Sequence, residues 1–189
     1  MDPHTYEPTP AQMKSLSQAQ LYFSIGVEFE DVWLPRFQDA NPKLKFVDSS
    51  AGVERIAMAT NENQTGELDP HIWLSSTNVR IIAKNIADAL CQSDPQNSAL
   101  YQNNLKLFLA DIDKVDKDIH TVLDPLTNRK FITLHPAWGY FARDYNLEQI
   151  AIEVGGNEPS AAEMANLIEI AKKENIHIIL AQPEFNTTA

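Results

Sequence analysis

The stretch from Asp94-Pro95 to Asp124-Pro125 constrains this chain more than any other. Its apolar residues Tyr101, Leu105, Phe108, Ile112, Val115, Ile119 and Val122 step alternately by four and three. That spacing is one face of an α-helix. Asp111, Lys114, Lys117 and Asp118 occupy the other face. Asp94-Pro95 supplies a cap followed by proline at the first helical position, and Asp124-Pro125 stops the helix. From Gln96 to Leu123 it would span ~42 Å at 1.5 Å per residue. A helix of that length is too long for one small domain and suits a rod between two lobes. The organisation it predicts is an amino-terminal lobe over residues 1–93, a linker helix over 94–124 and a carboxyl-terminal lobe over 125–189.

On either side of the rod, strand and helix alternate. Thr9-Pro10-Ala11-Gln12 opens a helix with a capping box. Leu21–Ile25 reads as a strand ending at Gly26, and Leu44–Val47 as a second. A short helix near Asp31–Gln38 contains Pro35, which predicts a break or bend. Ser75–Leu90 is a helix. After the rod come a strand at Lys130–Leu134, a helix at Gly139–Tyr145, a strand at Gln149–Val154 and a helix behind the capping box Ser160–Glu163. That helix buries Met164, Leu167, Ile168 and Ala171. Ile176–Leu180 is a near-continuous apolar strand, which points to a parallel sheet covered on both faces. The class is α/β. In such sheets ligands bind beyond the carboxyl ends of the strands.

Charge narrows the partners. The 189 residues carry a net charge of −11, which argues against nucleic acid, because phosphate binding needs a basic surface. No apolar run is long enough to span a membrane. The start, Met1-Asp2-Pro3-His4, has neither the basic nor the apolar region of a secretory leader. The single cysteine, Cys91, excludes an internal disulfide and a Cys-rich zinc site; it reads as core filler.

Three histidines each stand beside a proline, at similar intervals: Pro3-His4, Pro70-His71 and His135-Pro136. Proline stiffens the backbone around each imidazole, and neutral imidazole is the commonest side-chain metal ligand. The spacing alone fits convergence on one metal ion and also fits ordinary loop or capping histidines. His135 falls at the carboxyl end of a strand. There is no H-E-x-x-H, no G-x-S-x-G and no phosphate loop; Gly155-Gly156 is followed by no Lys-Ser/Thr.

The motifs nevertheless occur in a specific order. Asp2-Pro3-His4-Thr5-Tyr6-Glu7-Pro8, Asp69-Pro70-His71-Ile72-Trp73-Leu74-Ser75 and His135-Pro136-Ala137-Trp138-Gly139-Tyr140-Phe141 resemble three ligand loops. These are the loops of the solute-binding proteins of zinc and manganese ABC transporters, the ZnuA/TroA/PsaA-like cluster A-I. Asn157-Glu158-Pro159-Ser160 and Gln182-Pro183-Glu184-Phe185 resemble later segments of that family. The resemblance runs over essentially the whole chain. It implies two pseudo-symmetric lobes with parallel sheets joined by a long rigid helix. It places His4 and His71 from the first lobe and His135 from the second as metal ligands. It implies extracytoplasmic capture of a divalent metal, in the periplasm or on a membrane anchor, by a monomer that serves an ABC permease and is not an enzyme. It further implies that the chain lacks a first strand and stops, at Ala189, before a fourth, aspartate ligand.

Three imidazoles suit Zn²⁺, and manganese members of the family often carry a carboxylate where His135 stands. Residues 59–67 hold no histidine, unlike the His-rich loop of many zinc members, so Mn²⁺ and iron stay open. Asp2 and Asp69 are candidate acceptors for the imidazole N–H groups, or caps of their turns. His120 and His177 read as bystanders. Glu7 and Glu184 read as solvated surface and Glu158 as the cap of a turn, with ligation or a transporter contact as the other possibility. Two further readings stand beside transport. A His₃ zinc centre with an open water position is also a hydrolase or hydratase pattern, although no general base is identifiable. A surface adhesin would need an adhesive segment, and none is identifiable.

Overall fold

Residues 6–58, 68–153, 160–176 and 179–180 are described by a computed structural model. The elements are α1 (Pro10–Leu16), β1 (Leu21–Ser24), α2 (Glu28–Ala40), β2 (Lys45–Asp48), α3 (Ser76–Ser93), α4 (Ser98–Leu123), β3 (Lys130–Thr133), α5 (Gly139–Asp144), β4 (Glu148–Ala151), α6 (Ala161–Lys173) and β5 (Ile179–Leu180). Two short 3-10 turns, Ile72–Leu74 and Pro95–Asn97, precede α3 and α4. The fold is α/β with parallel pairing in both sheets.

The chain forms two compact units. The first comprises residues 1–53 and 78–110, and the second 54–77 and 111–189. Helix α4 therefore gives its first half to one unit and its second half to the other.

In the first unit, β1 and β2 pair from Leu21↔Lys45 to Ser24↔Asp48. Thr9 and Gln12 form the capping box that starts α1. Buried Val27, Phe37, Leu44 and Ala87 make the core. The turn from β1 into α2 winds around one carboxylate. Glu30 is buried and accepts the backbone N–H groups of Gly26 at 2.7 Å, Val27 at 3.2 Å and Ile25 at 3.2 Å. The Tyr22 hydroxyl donates to it at 3.3 Å. Burial, and then the Glu30 charge beside it, push the Tyr22 phenol well above its usual range. Gly26, at φ 77°, takes the left-handed conformation that the turn requires. Helix α2 runs through Pro35 rather than ending there.

The second unit holds a three-stranded sheet in the order β4-β3-β5. Helix α5 is the crossover between β3 and β4. It stops at Asn146, which adopts φ 52°, and the next N–H, from Leu147, bonds back to Ala142 O at 2.8 Å. Helix α6 ends the same way, with Asn175 at φ 54° and Ile176 N–H on Ala171 O. In both cases the last helical carbonyls are satisfied as the chain turns back to the sheet. Ser160 and Glu163 cap the start of α6. The core is Ile72, Ile132, Ala137, Tyr140, Ala142 and Tyr145.

Three expectations about covered faces need correction. On α4, Phe108, Val115 and Val122 are exposed, while Leu109, Asp116 and Leu123 lie on the partly covered side. Both sets keep helical spacing, so hydropathy alone cannot choose between them. Asp116 is drawn to the covered side by polar partners, because Ser76 Oγ and the Tyr145 hydroxyl both donate to its Oδ1 at 2.6 Å. Burial first, then that bond to Asp116, push the Tyr145 phenol up to about 12. On β5, Ile179 and Leu180 are exposed, so the strand is parallel but not covered on both faces by the described residues. On α6, Ile168 is exposed as well.

The Glu30 turn yields a stability prediction. Glu30→Gln keeps the shape but replaces one acceptor oxygen with an amide that faces backbone donors. Chemical denaturation should show a loss of about 2 kcal/mol; a loss below ~0.5 kcal/mol would mean that the turn does not depend on this carboxylate.

Candidate metal centre

The sheet register prepares the site. β3 and β4 pair with a constant offset, from Lys130↔Glu148 to Thr133↔Ala151. The ladder continues past both strands through Ile152 N–H on Thr133 O at 2.9 Å and Glu153 N–H on Leu134 O at 3.0 Å. This extension brings His135 opposite Glu153. His135 Nδ1 lies 2.8 Å from Glu153 Oε2. Both side chains are largely buried, at 11% and 15% exposure. The pair stands beyond the carboxyl ends of two adjacent parallel strands, where α/β sheets present ligand groups.

His71 reaches the same place from a braced loop in the same unit. Ala57 and Leu68 form an isolated antiparallel bridge, and Asp69 N–H bonds Ile56 O at 2.8 Å. Asp69 Oδ1 then accepts twice, from the His71 backbone N–H and from ring Nδ1, each at 2.8 Å. The backbone bond closes an Asx-type turn around Pro70. The Tyr140 hydroxyl, fully buried, donates to Asp69 O at 2.8 Å and accepts Ile56 N–H at 3.3 Å. Trp73 packs edge-on to the imidazole, with ring centroids 5.4 Å apart.

The outcome is a close approach of two imidazoles. His71 Nε2 and His135 Nε2 are 3.2 Å apart, with ring planes at 77°. A carboxylate at each Nδ1 favours the tautomer with the proton on that nitrogen, which leaves a lone pair on each Nε2. Two lone pairs facing each other need a cation between them. A proton gives one N–H···N contact; a metal ion uses both nitrogens. Zn–N bonds of 2.0–2.1 Å at a tetrahedral centre set two ligand nitrogens about 3.3 Å apart. The observed separation fits that edge.

Among the described residues, no three His, Cys, Asp or Glu side chains are grouped to hold a metal ion. Of the expected ligands, the structure brings His71 and His135 together, and His4 lies outside the described residues, as do Asp2, Glu158, Glu184, His177 and residues 59–67. Glu7 is exposed. His120 is remote in role: exposed on α4, it pairs with Asp124 at 3.0 Å and stacks edge-on against Tyr145. Glu153 escaped the sequence reading. Only the β3–β4 register reveals it, and the sole hint in the sequence is an acidic residue at the end of a predicted strand.

A family model described as ZnuA, zinc-uptake complex component A periplasmic, matches residues 1–189. The chain belongs to this family. The high-affinity zinc uptake system protein ZnuA of Bacillus subtilis (strain 168) is 32% identical over 192 residues, covering 95% of this chain and 60% of its own length. The manganese ABC transporter substrate-binding lipoprotein PsaA of Streptococcus anginosus is also 32% identical, over 185 residues, covering 93% of this chain and 60% of its own. A crystal structure of a ZnuA matches with TM-score 0.90 at 45% identity, over 98% of this chain and 71% of that one. The chain thus spans about 60% of the length of the curated relatives it matches.

Glu153→Ala would leave the His135 ring without its acceptor. Calorimetric titration should then show divalent-metal affinity falling about 10–100-fold while helix content stays unchanged. Unaltered affinity would mean that Glu153 plays no part in orienting the ring.

Proposed function

We propose that the chain captures a divalent transition metal outside the cytoplasmic membrane and delivers it to an ABC transporter permease, with Zn²⁺ as the favoured ion. The observation that carries this reading is the pair of Nε2 atoms 3.2 Å apart, each ring backed by a carboxylate. Membership of the zinc-uptake family supports the transport role. In this reading His71 and His135 ligate the metal and His4 joins them. Asp69 and Glu153 fix the orientation and tautomer of the two rings. The metal is cargo, and the protein is a binding component rather than an enzyme.

Donor chemistry favours zinc. Imidazole suits borderline ions such as Zn²⁺, whereas carboxylate-, carbonyl- and water-rich sets suit Mn²⁺. The relatives do not decide the matter, because equally similar ones are named for zinc and for manganese. The acidic balance of the chain, −11, suits a cation-collecting surface and no nucleic-acid partner.

Competitive calorimetry with Zn²⁺ and Mn²⁺ tests the reading. The native chain should bind one zinc ion more tightly than manganese. His71→Ala and His135→Ala should each lower zinc affinity at least ~100-fold, since each removes half of the pair. A preference for manganese would reassign the cargo. Zinc binding that survives both substitutions would remove the site.

A further inference from the structure

We propose that Gly139 is a positioning residue for metal capture: the space left by its missing side chain lets Asp69 hold the His71 ring against His135. The affinity consequence rests on the metal-binding reading above, whereas the structural consequence does not.

Gly139 is the first residue of α5, four positions after His135. A Cβ placed on it would meet Asp69 Oδ2 at 2.6 Å and Ile56 Cδ1 at 3.5 Å. The first of these distances is a clash that something must relieve. A surface carboxylate would swing aside, but Asp69 cannot do so cheaply. It is fully buried, and its Oδ1 is committed to both the backbone N–H and the ring of His71. Its carbonyl is held by the Tyr140 hydroxyl, one residue beyond Gly139. Turning the carboxylate away from a side chain at position 139 would therefore take Oδ1 off the His71 ring.

Asp69 Oδ2 is buried and finds no hydrogen-bond partner among the described residues. A buried acceptor without a donor is unfavourable. The arrangement becomes intelligible if the carboxylate is fixed by what Oδ1 does, with Oδ2 accommodated in the space that glycine leaves. The requirement at position 139 is spatial, not conformational. Its backbone is outside the left-handed region, so alanine would fit the helix and improve local helix propensity. One short segment, residues 135–140, thus carries one of the paired imidazoles and the two residues that brace the aspartate behind the other.

The test compares Gly139→Ala, Asp69→Ala and the double variant in the full chain. Three quantities are read: Zn²⁺ affinity, thermal unfolding, and the ring ¹⁵N shifts of His71 in metal-free protein. Gly139→Ala should lose about 10–100-fold in zinc affinity, with helix content kept and the unfolding temperature lowered, because relieving the clash loosens the Asp69 turn. Its His71 Nδ1 signal should lose the signature of a carboxylate-bonded N–H. In the Asp69→Ala background the same glycine substitution should change nothing further, because the effect passes through the aspartate. Parent-like affinity together with an unchanged His71 signal would overturn the proposal. So would an equal affinity loss with and without Asp69. If the parent itself binds no zinc, the metal reading fails, and the ¹⁵N comparison still decides the role of Gly139. Should Gly139→Ala fail to fold, Asp69→Glu drives a longer carboxylate into the same space. It should weaken zinc binding although the charge is kept, and unchanged affinity there would count against the proposal.

Discussion

Parallel pairing of β3 with β4 in a single register decides where the candidate site can form. Two further backbone bonds carry the pairing past the end of each strand and so set His135 against Glu153. A slip of one residue would turn every side chain to the other face, and the carboxylate would leave the imidazole. The Asx turn at Asp69-Pro70-His71 depends on the same segment, because Tyr140 grips the Asp69 carbonyl from the helix that connects the two strands. Register, crossover helix and ligand loop therefore act as one construction within the second unit.

Two imidazoles whose Nε2 atoms face each other at 3.2 Å can share one proton, but only a metal ion uses both nitrogens. Their surroundings make the arrangement specific. Each ring is tied at Nδ1, neither ring is substantially exposed, and the separation matches an edge of a tetrahedral zinc site. The carboxylates behind the rings lower the cost of bringing a divalent charge into a partly dry place. Bracing of this kind reduces what binding a cation must spend on alignment.

Much of the framework was legible in the sequence because it is written locally. The capping boxes at Thr9–Gln12 and Ser160–Glu163, the stops at Gly26 and Asp124-Pro125, and the alternation of strand with helix are short-range signals. The parallel sheets follow from that alternation. The face of α4 was legible in part: Tyr101, Leu105, Ile112 and Ile119 lie on its partly covered side, but Phe108, Val115 and Val122 do not. The helix carries apolar residues over a wide band, and the place of Asp116 on the covered side, where it accepts from Ser76 and Tyr145, is visible only in three dimensions. Glu153 was hidden for a similar reason: no pattern in one chain states which residues of two strands stand opposite each other. Gly139 stood inside a recognisable motif, but what makes its lack of a side chain matter is an aspartate seventy positions earlier. His71 and His135 could be named from their proline neighbours and family resemblance. Their mutual distance could not.

X-ray absorption at the zinc edge, on the zinc-loaded chain, tests the central claim most directly. The account predicts a nearest shell that includes at least two imidazole nitrogens at about 2.0–2.1 Å. That shell should lose an imidazole in His135→Ala. A shell made of oxygen alone, or one unchanged by the substitution, would contradict it.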